Sequence, residues 1–66
     1  MHAVDEAGEV VPEGTVLSDF RDHQWTYQYP TQPTVPGKSG KVYAISKHDK
    51  WGMELYASVF NLRVER

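Results

Sequence analysis

A chain of 66 residues with formal net charge −2, no cysteine and 39% hydrophobic residues has room for one core. A chain of about 60 residues hides only about 60% of its unfolded surface on folding. Disulfide staples are excluded, so packing must supply a stability of about 3 to 5 kcal/mol; the mild negative charge speaks against a surface built wholly for nucleic acid.

The opening "MHAVDEAGEVVPEG" has no basic n-region and no apolar h-region, and no apolar run reaches about 18 residues. The expectation is a soluble, cytoplasmic protein with no membrane partner. Charge is distributed unevenly. Residues 1–14 hold four acids and no base, whereas all four lysines fall within 38–50 with only Asp49 against them. Solubility charge on exposed edges is the plain explanation for such a pattern.

Residues 1–9 are acidic, contain Gly8 and lack periodicity, which predicts a disordered N-terminal arm, with a single domain over 10–66. "VVPEG" reads as an apolar pair and a turn, and a strand follows from Thr15 to about Phe20. After the polar connection "RDHQ", the segment "WTYQY" (Trp25 to Tyr29) alternates at period two and predicts a strand that Pro30 ends. This alternation places Trp25, Tyr27 and Tyr29 on one face, running from a buried Trp25 to a partly exposed Tyr29.

"PTQPTVPGKSG" holds three prolines and two glycines and forms a long irregular loop. Lys41 to Lys47 is the next strand, "HDKWG" a tight loop, and Met53 to Ala57 its antiparallel return. "SVFN" reads as one helical or 3₁₀ turn, with Ser58 suited to cap it and Asn61 to leave it in the left-handed conformation. "LRVE" forms a short last strand. Besides the aromatic ladder, the expected core comprises Val16, Phe20, Val42, Leu55, Val59, Phe60, Leu62 and Val64.

Five short strands with one helical turn before the last make an all-β chain that must hide its edges. The order resembles an SH3-like small barrel over residues 10–65, with "VPEGTVLSDF" as the opening corner, "PTQPTVPGKSG" as the long loop, "KHDKWG" as the distal hairpin tip and "YASVFNL" as the turn into the final strand. "GTV" at 14–16, "DFR" at 19–21, "PGKSGKV" at 36–42 and "SVFNL" at 58–62 also resemble, in this order, small uncharacterised proteins of actinobacteria and their phages. That resemblance implies a phage or actinobacterial setting and no particular mechanism.

The triplet Gly37-Lys38-Ser39 invites a nucleotide-loop reading. A phosphate loop needs G-x-x-x-x-G-K-[ST] opening a helix; here Gln32 stands five residues before Gly37, and "GKVYAI" is a strand. Both requirements fail. His2, His23 and His48 have no paired spacing for a metal, and Ser18, Ser39, Ser46 and Ser58 lack an elbow sequence and an assignable base. Neither catalytic residues nor a cofactor are expected.

Two surfaces remain for a partner. A protein-docking surface would use Tyr29, the proline-rich loop with Pro33 and Pro36, and Trp51 at the hairpin tip, where exposure would favour an interaction role and folding back over the barrel end is the equal alternative. A nucleic-acid surface would use Lys38, Lys41, Tyr43, Lys47 and Lys50, interleaving phosphate-contacting and stacking groups. Parity leaves open whether Val42 and Ala44 or Tyr43 and Ile45 face inward. The first expectation is therefore a non-enzymatic protein-interaction module, monomeric or homodimeric, and the alternative a nucleic-acid-binding barrel.

Overall fold

The computed structural model describes residues 2–5, 7–33 and 39–65. Its strands are β1 (Val16–Ser18), β2 (Gln24–Pro30), β3 (Lys41–Ser46), β4 (Gly52–Tyr56) and β5 (Arg63–Val64), with a four-residue helix α1 (Ala57–Phe60) between the last two. The strands form one antiparallel sheet in the order β4-β3-β2-β1-β5. The all-β architecture expected from the alternating segments is present. Closure into a barrel is not: β4 and β5 end the strand order and do not pair with each other.

β1 stops at Ser18, short of the expected Phe20, because Asp19 turns the chain. The N–H of Asp19 donates to the carbonyl of His23 (3.0 Å), and that of Asp22 donates back to the Asp19 carbonyl (3.0 Å). Asp22 takes a positive φ of 60° in this corner, a conformation that aspartate tolerates better than most residues. β3 and β4 form the expected hairpin. Lys50, at φ 65°, supplies its left-handed corner, after which the Trp51 carbonyl accepts from the N–H of Ser46 (2.8 Å).

α1 begins one residue earlier than expected. Tyr56 occupies its N-cap position without a side-chain cap, so Ser58 does not serve there. Asn61 does take the left-handed exit, at φ 49° and ψ 51°, with its N–H directed at the carbonyls of Ala57 and Ser58. This exit returns the chain across the core so that β5 reaches β1.

Strand parity is settled in β3: Val42, Ala44 and Ser46 are buried and Lys41, Tyr43 and Ile45 are half-buried on the outer face. The core combines this inner row with Leu17, Trp25, Tyr27, Leu55, Ala57 and Leu62, and each large side chain removed from water contributes about 1.5 to 3 kcal/mol. Leu17 is buried where Val16 was expected to be. Phe20 and Val59, assigned to the core on hydrophobicity alone, are 58% and 67% exposed, and Phe60 and Val64 pack only partly against it.

The described residues among 2–9 make contacts with the chain that follows them. Val4 bridges to Val10, the N–H of Val11 donates to the Ala3 carbonyl (2.9 Å), and Ala3 joins the core with Val11. Asp5 Oδ1 accepts from the N–H of Ala7 and of Glu9, both at 2.9 Å. This buried carboxylate supplies the acceptors that close the turn.

Candidate protein-interaction site

A cleft of about 430 Å³ opens at the end of the sheet where the β3-β4 hairpin turns. Its base is Trp25 and Ser46 from the inner face of β2 and β3. Trp51 and Met53 line one wall, and Arg21, His23 and Phe60 the other. Trp51 is 71% exposed and Met53 45%, and Phe20 extends the apolar surface by packing on Phe60 at 6.3 Å between ring centroids.

Polar groups fix this framework. Asp19, fully buried, accepts at Oδ1 from the N–H of Arg21 (2.8 Å) and of His23 (3.1 Å), and at Oδ2 from the indole N–H of Trp25 (3.1 Å). Its carbonyl accepts from the Arg63 guanidinium (2.9 Å), which also pairs with Asp22 at 2.9 Å. Burial by itself would raise the Asp19 pKa; the bonds from Trp25, Arg21 and His23 outweigh it and hold the carboxyl below its ordinary range.

His23 Nε2 lies 2.7 Å from Ser46 Oγ, so one serine has a histidine neighbour that sequence spacing did not reveal. The same oxygen faces the N–H groups of His48 (3.3 Å) and Asp49 (3.5 Å). Asp49 is held below the ordinary carboxyl range, first by the Ser46 hydroxyl and then by the N–H of Trp51. A hydroxyl has one hydrogen, so in the His23 contact either Ser46 Oγ or the ring Nε2 donates, according to the tautomer. The cluster ties the hairpin turn to the Asp19 corner and so holds Trp51 beside Met53.

A second surface occupies the outer face. Period-two reasoning put Tyr29 with Trp25 and Tyr27, but the register advances by two residues on β2 (Tyr27 to Tyr29) against one on β3 (Ala44 to Tyr43). This bulge at Gln28 moves Tyr29 to the opposite face. There it stacks on Tyr43, with centroids 5.2 Å apart and planes at 19°, and stays 54% exposed. Tyr43 in turn lies across Gly52, where any added Cβ would collide with its hydroxyl end.

Lys41 completes this face. Its ammonium sits 3.3 Å from Glu54 Oε2 and 4.9 Å from the ring centre of Tyr56. Its pKa is raised, chiefly by the Glu54 hydrogen bond.

The expected protein-docking set is divided. Tyr29 stands on the outer face beside the long loop, whereas Trp51 lines the cleft at the far end of the hairpin. Pro33 is exposed, and Pro36 and Lys38 lie outside the described residues. Lys41 opens β3 on the outer face with Tyr43 and Ile45, and Lys47 and Lys50 follow the other end of the strand, about 20 Å from Lys41 to Lys47 at the usual strand rise. Sequence reading missed Arg21, His23 and Met53 as cleft residues and Tyr56 as the partner of Lys41.

No protein-family model, curated protein or solved structure matches this chain. Among the described residues, no cluster of three or more His, Asp or Glu is placed to hold a metal ion, and no helix is long and apolar enough to cross a membrane.

Proposed function

We propose that this chain is a non-enzymatic protein-interaction module of SH3-like architecture that docks a partner through the cleft at its hairpin end. The observation that carries the reading is the exposed Trp51 beside Met53 and Phe60 at the mouth of a cleft with a rigid, hydrogen-bonded base. Exposed tryptophans next to preformed apolar depressions are where binding energy concentrates in interfaces. Arg21 and His23 add a polar rim that orients an incoming chain. The SH3-like assignment is supported by the strand order β4-β3-β2-β1-β5 with a helical turn before the last strand.

Affinity capture with the full chain tests this. Trp51→Ala is expected to keep the wild-type fold and lose at least tenfold in affinity for the captured protein, about 1.4 kcal/mol. Unchanged capture by a folded Trp51→Ala variant would refute the docking site.

A second reading, nucleic-acid binding, is favoured by one observation: the stacked Tyr29 and Tyr43 beside Lys41 and Tyr56 on the outer face. Bases stack on such rings and cations meet phosphates. The Glu54 carboxylate beside Lys41 weighs against it. Titration with single-stranded oligonucleotides at low salt would shift the Tyr29 and Tyr43 resonances if this surface binds them; no shift excludes it.

A further inference from the structure

We infer that β4, which ends the sheet among the described residues, takes up along its outer edge an extended peptide of alternating apolar-basic-apolar pattern as a sixth strand. This rests on the docking reading above and specifies its partner.

The first support is backbone polarity. Within β3, the carbonyl of Lys41 accepts from Thr31 and Gln32 on the β2 side, whereas Ser46 exchanges hydrogen bonds with the β4 side, its N–H donating to Trp51. Antiparallel pairing alternates these directions. Val42, Ala44 and Ser46 therefore point their backbone groups at β4, and their partners Leu55, Met53 and Trp51 point back. Gly52, Glu54 and Tyr56 consequently direct their N–H and C=O groups away from the sheet. All three are exposed, and β4 ends the strand order. Such an edge is a template for strand addition.

The side chains beside this edge set the pattern of the added strand. On the outer face, half-exposed Glu54 pairs with Lys41, whose ammonium also meets the Tyr56 ring, and both Glu54 and Tyr56 keep exposed surface toward the edge. A peptide residue directly opposite Glu54 shares that face, and a lysine or arginine there shares this carboxylate and ring with Lys41. Its two neighbours point to the inner face, where Met53 leads into the apolar cleft with Trp51 and Phe60. Apolar side chains fit them.

Charge separates this occupant from a second copy of the chain. Antiparallel self-pairing of β4 centred on Glu54 would set two Glu54 carboxylates opposite each other, a destabilising like-charge pair, between chains that each carry −2. A basic peptide sets no carboxylate against Glu54 and meets a chain of net charge −2.

The test uses the full chain labelled with ¹⁵N and the blocked peptide acetyl-Thr-Val-Lys-Leu-Thr-amide. Binding should shift the amides of Gly52, Glu54 and Tyr56 and slow their hydrogen exchange. Methylating the peptide lysine backbone nitrogen removes one strand hydrogen bond without touching a side chain and should weaken binding about tenfold. Glu54→Lys should invert the preference between this peptide and its Lys-to-Glu counterpart. Equal affinity for the methylated peptide, with shifts confined to Trp51, Met53 and Phe60, would overturn strand addition and leave the cleft reading standing. Absence of shifts at both the edge and the cleft would overturn strand addition, while the cleft reading would still answer to the Trp51→Ala capture experiment. Concentration-dependent self-association that protects the same amides without peptide would also overturn the proposal, in favour of a second copy.

Discussion

The indole N–H of Trp25 donates to Asp19 Oδ2 at 3.1 Å, joining the largest core side chain of β2 to the buried carboxylate of the chain corner 19–23. The other oxygen of Asp19 accepts two backbone N–H groups of the same corner. One buried residue thus sets both the direction in which β1 ends and the orientation of the ring at the base of the cleft.

Asp19→Ala should therefore destabilise the domain by about 2 to 4 kcal/mol, because it leaves the buried indole N–H and two backbone donors without acceptors. In a chain of this length that is most of the stability. Asp19→Asn keeps one carbonyl oxygen but sets an amide NH₂ or a neutral oxygen against three donors, and should cost less than Ala. Urea titration at neutral pH, followed by Trp25 fluorescence, measures both. A loss below about 0.5 kcal/mol for Asp19→Ala would contradict the role assigned to the corner.

The same carboxylate makes stability depend on acid pH. Its folded pKa lies below the unfolded value, so above about pH 4 it is charged in both states and its contribution is complete. As pH falls below that value the unfolded chain binds the proton first, and the contribution is lost progressively until the folded pKa is passed. Asp49, whose pKa is also lowered, acts in the same direction. The difference in unfolding free energy between wild type and Asp19→Asn should shrink between pH 5 and pH 2, since only the wild type titrates at this position. Tyr27 has the opposite sense: burial raises its pKa, so its contribution is intact below about pH 10 and is lost above it as the unfolded chain ionises first.

Gly52 and Tyr43 should prove coupled. A methyl group at Gly52 displaces the hydroxyl end of Tyr43 and with it the ring stacked on Tyr29. Because that end of the ring is able to swing outward, the cost of Gly52→Ala should be moderate, about 1 kcal/mol. In a Tyr43→Ala background the collision with the hydroxyl end is removed, and the cost should fall. A double-mutant cycle read by chemical denaturation gives the interaction directly; additivity would mean that Tyr43 does not cover Gly52.

What was legible beforehand follows the range of the interactions. The alternation in "WTYQY" and "KVYAIS", the tight hairpin, and Asn61 at the helix exit are local signals, and the corresponding elements lie within one or two residues of the expected positions. The bulge at Gln28 was not legible, because a strand read alone gives no sign that its partner advances one residue while it advances two; the face occupied by Tyr29 was misread for that reason. Asp19 was read as part of the first strand, although aspartate is a recognised turn former. Phe20 and Val59 were assigned to the core by hydrophobicity, which ranks residues but does not place them. The cleft brings together Arg21, His23, Ser46 and Met53 from separate stretches of chain, and only the pairing of β2 with β3 and of β3 with β4 makes them neighbours.

The left-handed corners offer the cleanest backbone test. Asn61 (φ 49°) ends α1 and Lys50 (φ 65°) closes the hairpin, and both are L residues in a region that glycine occupies without penalty. Asn61→Val should cost about 1 to 2 kcal/mol, since a β-branched side chain is disfavoured there, while Asn61→Gly should be neutral within about 0.5 kcal/mol. Lys50→Gly should likewise relieve the left-handed penalty, offset by the greater entropy of glycine in the unfolded chain, and leave stability unchanged or raised by up to about 1 kcal/mol. The two sites lie at the ends of different elements, so a double Gly variant should show the sum of the single effects in a thermal or urea titration. Destabilisation by Lys50→Gly beyond about 1 kcal/mol would mean that the lysine side chain, and not its backbone conformation, holds the turn that positions Trp51.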